Sequence, residues 1–317
     1  MYLGVDIGGT KCAVLAADES GKIREKIRFE TESPAKTQKR IIEALRTLAA
    51  GGSVDAVGIS CGGPLDSQKG VILSPPNLPG WDCVPITDMV SEAVGAPAFL
   101  SNDANACALA EWRFGAGQGC QSMIFLTFGT GLGAGLILDG RLYEGVNGMA
   151  GEAGHIRLSA FGPVGYGRMG SFEGFCSGAG LAQLGKMMAT EALQQGNPPS
   201  FCPTAEALSS ITAKSLAEAA DAGDALARRV YEISGEKLGE GLAVLADLFN
   251  PECIVIGSVF ARSEALLRPA MERTLKENAL PAAYSALTVK AAALGDAIGD
   301  VAAVAVAMNG KENRNGK

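Results

Sequence analysis

The chain has 317 residues, 47% of them apolar and 19% charged, with a formal net charge of −7. That length accommodates about two domains of ~150 residues each, and the composition is that of a globular protein with ample material for two cores. The acidic balance argues against a nucleic-acid-binding surface and against a patch for anionic membranes.

Residues 2–23 (YLGVDIGGTKCAVLAADESGKI) open the chain with an apolar β-prone run, the turn Gly8-Gly9-Thr10, a second apolar run, and an Asp and a Gly closing another turn. Because a strand carrying Asp6 starts at once, no signal peptide is expected. Residues 37–50 have helical apolar spacing and stop at Gly51-Gly52. Lys36, Lys39 and Arg40 are a local basic cluster at helical spacing and read as a solvated face. A strand over 54–60 leads to the turn Cys61-Gly62-Gly63-Pro64. A Pro/Gly-rich loop (74–81), a short helix (86–94), a strand (98–101) and a helix (104–114) follow, with 115–119 (GAGQG) as a hinge.

Residues 123–142 (MIFLTFGTGLGAGLILDGRL) repeat the opening pattern around Gly129-Thr130-Gly131. The stretch 122–138 is uncharged, but four glycines and two threonines interrupt it. Two buried strands explain it better than a membrane helix, which needs ~20 apolar residues. Residues 178–196 and 204–248 are helix-rich, and 253–256 is a buried strand running into Gly257-Ser258. A helix over 263–278, a strand over 287–294 and a closing helix over 297–308 complete the order, and the polar tail 311–317 is expected to fray. Alternating strands and helices predict α/β layers, with domains at 1–117 and 118–296 and the closing helix, about 297–310, returning to the first. The eight cysteines show no C-x-x-C spacing and sit mostly in apolar runs, as small hydrophobes in a reducing compartment.

Two glycine turns from two similar halves suit a polyphosphate held between them. Backbone amides and the Thr10 hydroxyl would face phosphate oxygens, and Lys11 would add charge. Asp6 would organise Mg²⁺ through water. Alone, the first turn is equally a capped hairpin; the second copy favours phosphate. Gly129-x-Gly131-x-x-Ala134 matches a loose dinucleotide fingerprint, but a strand rather than a helix follows it. Asn102-Asp103 closes a strand and opens a helix, so it reads either as an N-cap or as a catalytic base kept ionised by the helix N-terminus. Gly151-Glu152-Ala153-Gly154-His155 holds the only histidine, and Glu152, His155 and Glu173 are partners for vicinal hydroxyls.

In combination and order these motifs resemble the ROK family (repressors, open reading frames and kinases), bacterial sugar kinases among them. The likeness runs from Leu3 to about Met308 through VDIGGTK (5–11), GGP (62–64), NLPGW (77–81), NDANACALAE (102–111), FGTGLGAGLILDG (128–140), GEAGH (151–155), GSFEGFCSG (170–178) and IGS (256–258). The resemblance implies an α/β chain of the actin-like ATPase (ribonuclease H-like) fold, with two similar domains around a central cleft. It implies Asp103 as catalytic base and Gly63, Asn77, Asn102, Glu152, His155 and Glu173 as sugar ligands. Gly9, Thr10 and Lys11, with Gly129, Thr130 and Gly131, would contact phosphate, and Gly257 and Ser258 the adenosine half; 294–299 matches an adenosine-side pattern loosely. The family's zinc site uses the histidine and three cysteines of a CGCGxxGC-like run. Here those positions are Val164, Tyr166 and Ser171, so no structural zinc is expected, and Tyr166, Met169 and Phe172 are expected to pack the loop. The family's repressors carry an N-terminal helix-turn-helix that this sequence does not show, which points to a kinase.

The expectation is ATP- and Mg²⁺-dependent phosphorylation of a hexose or hexose derivative at O6, by a cytoplasmic homodimer with no nucleic-acid or membrane partner. A non-catalytic sugar sensor acting in regulation is the alternative, opposed by Asp103 and both turns. A nicotinamide-dependent oxidoreductase and an acetate- or glycerol-type kinase fit less well.

Overall fold

The computed structural model describes residues 1–315. In chain order the elements are β1 (Tyr2–Ile7), β2 (Lys11–Ala17), β3 (Ile23–Glu30), α1 (Pro34–Ala49), β4 (Ala56–Cys61), β5 (Leu65–Asp66), β6 (Val71–Ile72), α2 (Ile86–Val94), β7 (Ala98–Asn102) and α3 (Asp103–Phe114). Then come β8 (Met123–Leu126), β9 (Ala134–Leu138), β10 (Arg141–Tyr143), β11 (Val164–Gly165), β12 (Arg168–Met169), α4 (Phe172–Phe175), α5 (Gly178–Gln194), α6 (Ala213–Asp221) and α7 (Ala225–Phe249). The last are β13 (Cys253–Ile256), α8 (Val259–Arg262), α9 (Glu264–Asn278), α10 (Pro281–Ala286), β14 (Thr288–Ala291) and α11 (Ile298–Asn315). The chain divides into two compact units: 1–120 with 135–150 and 293–317, and 121–134 with 151–292.

The first unit carries a sheet in the order β3-β2-β1-β4-β7. The hairpin β1–β2 is antiparallel and closes at Ile7↔Cys12, whereas β1, β4 and β7 run parallel. β4 is buried throughout, as expected of a strand covered on both faces. β3 (IREKIRFE) is a strand that apolar patterning does not announce: it is a charged edge, and charge is how exposed edges resist further pairing. The basic cluster on α1 is solvated and paired, Lys36 with Glu32 and Lys39 with Glu43.

Helix α11 lies directly on β1 and β4 because two glycines make room for its backbone. Gly4 and Gly58 are register partners. A Cβ on Gly58 would stand 2.0 Å from the Ala303 carbonyl oxygen, and one on Gly4 3.0 Å from Ala303 Cβ. The helix meets them with buried Ala302, Ala303, Ala305 and Ala307. It continues to Asn315, so 311–315 do not form the frayed tail that their polarity suggested. Lys311 instead pairs at 2.6 Å with Asp55, which also holds the N-terminal ammonium at 2.7 Å. Residues 316–317 of that tail lie outside the described residues.

Glu111 on α3 is fully buried. Its carboxylate accepts from the amides of Ala116 (2.8 Å), Ala293 (3.1 Å) and Leu294 (2.9 Å), tying α3 to its own exit turn and to the entry of α11. Orphaned amides cost ~1–3 kcal/mol each where water cannot reach them, so Glu111→Ala is expected to lose about 3 kcal/mol. Urea denaturation measures it, and a loss below ~1 kcal/mol, the range of an ordinary surface change, would contradict this role.

In the second unit β8, β13 and β14 run parallel with β13 in the middle, repeating the β1-β4-β7 arrangement. The hairpin β9–β10 follows β8 in the chain as β2–β3 follow β1. Residues 135–150 group with the first unit because Gly135 sits against α3: a Cβ there would be 2.5 Å from Ala108 Cβ. All eight cysteines are free, five of them buried. Among the described residues no helix is long and apolar enough to cross a membrane.

Candidate active site in two parts

In the first unit β1 delivers Asp6 and the first glycine turn. The turn is fixed from below: the Gly8 amide donates to the Lys11 carbonyl (3.1 Å), and the Thr31 hydroxyl donates to the Gly8 carbonyl (2.6 Å). Gly9, Thr10 and Lys11 are left exposed. A Cβ on Gly9 would stand 2.6 Å from the Asn77 carbonyl oxygen, and one on Gly62 3.3 Å from Asn77 Nδ2. The structure therefore gathers the Gly9 turn, the turn that contains Gly63, and Asn77.

β7 runs into α3 at Asn102-Asp103. Asn102 is the N-cap, its side-chain oxygen accepting from the Asn105 amide at 2.7 Å; this leaves its side-chain NH₂ for a ligand. Asp103 is the first helical residue and accepts from the Ala104 amide at 2.9 Å. Burial raises its pKa above 3.8, and the amides of Ala104 and Asp103 offset this only in part. The consequence is a carboxylate more avid for a proton than an ordinary aspartate. The nearby Cys61 thiol is pushed up to about 12 by burial and by the Asp103 and Asp6 charges, which makes it an inert hydrophobe.

Asp6 is raised from 3.8 to about 6, first by burial, then by the carboxylates of Asp300 and Asp103, against weaker help from Lys26 and Arg28. Asp300 opens α11 and pairs with Lys26; a Cβ on its neighbour Gly299 would lie 3.5 Å from Asp6 Oδ2. Sequence reasoning missed Asp300. The loose motif over 294–299 stops one residue short, and chain order does not tell that this helix start returns beside β1. Among the described residues no group of three or more His, Cys, Asp or Glu is arranged to hold a metal alone. Under-compensated carboxylates nevertheless fit Mg²⁺, which keeps its waters and takes one or two carboxylates plus substrate phosphates.

In the second unit the turn at Gly129-Thr130-Gly131 is closed by the Gly129 amide donating to the Gly131 carbonyl (2.9 Å). The Gly133 amide caps onto the Thr127 hydroxyl (2.9 Å). The start of α5 docks here, the Gly178 amide donating to the Gly129 carbonyl at 2.8 Å, and Ser258 Oγ lies 3.6 Å from where a Gly129 Cβ would be. Gly257 and Ser258 thus adjoin the turn. Glu173 reaches its other end: Oε2 accepts from the Leu132 amide at 2.9 Å and would be 2.5 Å from a Cβ on Gly131. Gly154 brings the His155 loop against the Glu173 stem, its Cβ position 3.2 Å from Glu173 Cβ. His155 Nε2 is 3.8 Å from Glu152, and its ring meets the Tyr166 ring edge-on at 5.1 Å.

The loop over 164–172 is built differently from the expected apolar plug. Tyr166 is 75% and Met169 48% exposed, while Phe172 is fully buried. Backbone bonding holds this loop. The β11–β12 hairpin turns outward at Gly167, Gln183 clamps both the amide (3.1 Å) and the carbonyl (2.8 Å) of Val164, and Ser171 is spent capping α4.

The model of the ROK family matches residues 2–309. A glucokinase of Halalkalibacterium halodurans is 34% identical over 309 residues, spanning 94% of this chain and 92% of its own. A ROK family glucokinase from Streptomyces griseus, solved with glucose and AMPPNP, superposes with a TM-score of 0.75 at 33% identity, covering 97% of this chain and 99% of the other. The DNA-binding transcriptional dual regulator NagC of Escherichia coli is 30% identical over 320 residues, covering 96% of this chain and 75% of the regulator. The fold is the actin-like ATPase fold of the ROK kinases, and the glucokinase likenesses support a sugar kinase. With motif, topology and likeness in agreement over nearly its whole length, the chain belongs to the ROK family.

Proposed function

We propose that the protein is an ATP-dependent hexose kinase that phosphorylates the primary 6-hydroxyl. The observation carrying this reading is Asp103: a carboxylate of raised proton affinity at the mouth of α3, accessible to a substrate hydroxyl, beside Asp6 and the first glycine turn. The sugar oxygen attacks the γ-phosphorus, the bond from that phosphorus to the β–γ bridging oxygen breaks, and the hydroxyl proton passes to Asp103. Gly63, Asn77, Asn102, Glu152, His155 and Glu173 bind and orient the sugar. Gly9, Thr10 and Lys11 and Gly129, Thr130 and Gly131 bind phosphate, and Gly257 and Ser258 the adenosine side. Asp6 would hold Mg²⁺ through water, and the ion would supply charge neutralisation on phosphate oxygens.

The likeness to NagC favours one second reading, a sugar-responsive regulator without turnover. A coupled ADP-release assay over glucose, other hexoses and amino sugars separates them. Sugar-stimulated ADP release is expected, with the product phosphorylated at C6 by NMR. Sugar binding without ADP release would favour the regulator.

Glu173→Gln keeps an oxygen for the Leu132 amide, so the loop should stay folded. Losing a charged acceptor costs ~1.5–3 kcal/mol. The KM for sugar is therefore expected to rise about 10- to 100-fold with kcat little changed. Steady-state kinetics check it, and an unchanged KM would remove Glu173 from the sugar site.

A further inference from the structure

Tyr166 stands at the tip of the β11–β12 hairpin with a φ of +45°, a left-handed conformation that a bulky side chain takes only when its surroundings impose it. Burial does not offset the strain, because the residue is 75% exposed. The contact its ring does make is with His155, which it meets edge-on with ring centroids 5.1 Å apart and planes at 78°.

The hairpin is fixed on both sides. Gly165 packs on α4: a Cβ there would stand 2.6 Å from the Gly174 amide nitrogen and 2.9 Å from Glu173 Cβ. The Gly170 carbonyl accepts from the amides of Leu158 (2.9 Å) and Ser159 (3.0 Å), and the Phe172 amide donates to the Ile156 carbonyl (2.8 Å). Arg168 Nη1 donates to the His155 carbonyl at 3.1 Å. The backbone of His155 is therefore tied to the same hairpin that presents Tyr166.

The side chain of His155 is held differently. It is 39% exposed, and Glu152 Oε2 stands 3.8 Å from Nε2, beyond hydrogen-bond reach. Among the described residues the imidazole makes no hydrogen bond. Terminal torsions of such rings are broad wells, so an imidazole without a hydrogen bond keeps a nitrogen aimed at one hydroxyl only if packing holds it. Edge-to-face pairing of rings is directional enough to do so.

We propose that Tyr166 is a positioning residue: its ring holds the His155 imidazole in the orientation that meets a sugar hydroxyl, leaving both ring nitrogens for the sugar. The effect on sugar binding rests on the reading of His155 as a sugar ligand; the ring contact does not.

His155 is the only histidine, so its ring protons give NMR signals that need no further assignment, and the Tyr166 ring current displaces them. Tyr166→Asn removes the ring and suits the left-handed backbone; Tyr166→Phe keeps the ring. The Phe variant is expected to leave the signals and the KM for glucose as in the parent. The Asn variant should move the signals toward those of free histidine and raise the KM for glucose about three- to tenfold, the strength of an edge-on pair, with kcat and the KM for ATP unchanged. In a His155→Ala background Tyr166→Asn should raise the KM no further. Signals that stay in place in the Asn variant, signals that move with the KM unchanged, a Phe variant that behaves like the Asn variant, or a further loss in the His155→Ala background each overturn the proposal. If the parent turns no sugar over, the kinase reading falls, and the glucose Kd by calorimetry with the histidine signals, measured on the same variants, still decides the role of Tyr166.

Discussion

Asp103→Asn should fold, bind sugar and nucleotide as the parent does, and lose about a thousandfold in kcat, within the usual range for removing a general base. The substitution is close to isosteric, and the amide oxygen retains the bond from the Ala104 amide seen in the parent. What it removes is proton acceptance by a carboxylate whose pKa burial has raised. The raised pKa also sets the sign of the pH profile. In the parent, turnover should fall as pH drops through that value, because the base is then already protonated; in the variant this acidic limb should vanish. Stopped or steady-state ADP release over pH 5–8, with glucose binding measured separately, provides the check. Substantial turnover in a folded variant would remove Asp103 from the reaction.

Much of this was legible from local sequence, because its causes are local. The 86–94 helix and the 253–256 strand fall where periodicity places them. The Asn102-Asp103 junction is a cap because a strand meets a helix there. The two glycine turns read as hairpins because apolar runs flank them. What did not read was set by distant partners. β3 is charged along its length and is a strand only because β2 offers it an edge. The last helix outruns its apolar stretch because Asp55 holds Lys311. Asp300 matters because α11 begins beside β1. Tyr166 and Met169 look like core residues by composition, but the Gln183 clamp and the Gly167 turn aim them outward. The raised proton affinity of Asp103 depends on the groups packed around it, which no dipeptide motif encodes.

Asp6→Asn should make the free protein more stable at pH 8 while abolishing its use of Mg²⁺ and ATP. Asp6 has a pKa of about 6 in the folded chain against 3.8 when exposed. Between those values the folded state holds more protons than the unfolded one, so stability falls as pH rises through this window and is level above it. At ~1.4 kcal/mol per pKa unit, the carboxylate's ionisation costs the parent on the order of 2–3 kcal/mol above pH 6. Asparagine does not ionise, so the variant escapes this cost: it should unfold later than the parent at pH 8, with the gap closing by pH 4. The same charge is what a divalent cation needs. Mg²⁺ with a non-hydrolysable ATP analogue should therefore raise the melting temperature of the parent and leave the variant nearly unmoved, with kcat down at least a hundredfold. Thermal melts of both proteins at two pH values, with and without the ligands, test the whole argument. A variant less stable than its parent at pH 8 would show that Asp300 and Asp103 do not burden Asp6 as the geometry implies. An equal ligand shift in both proteins would show instead that the cation is held elsewhere.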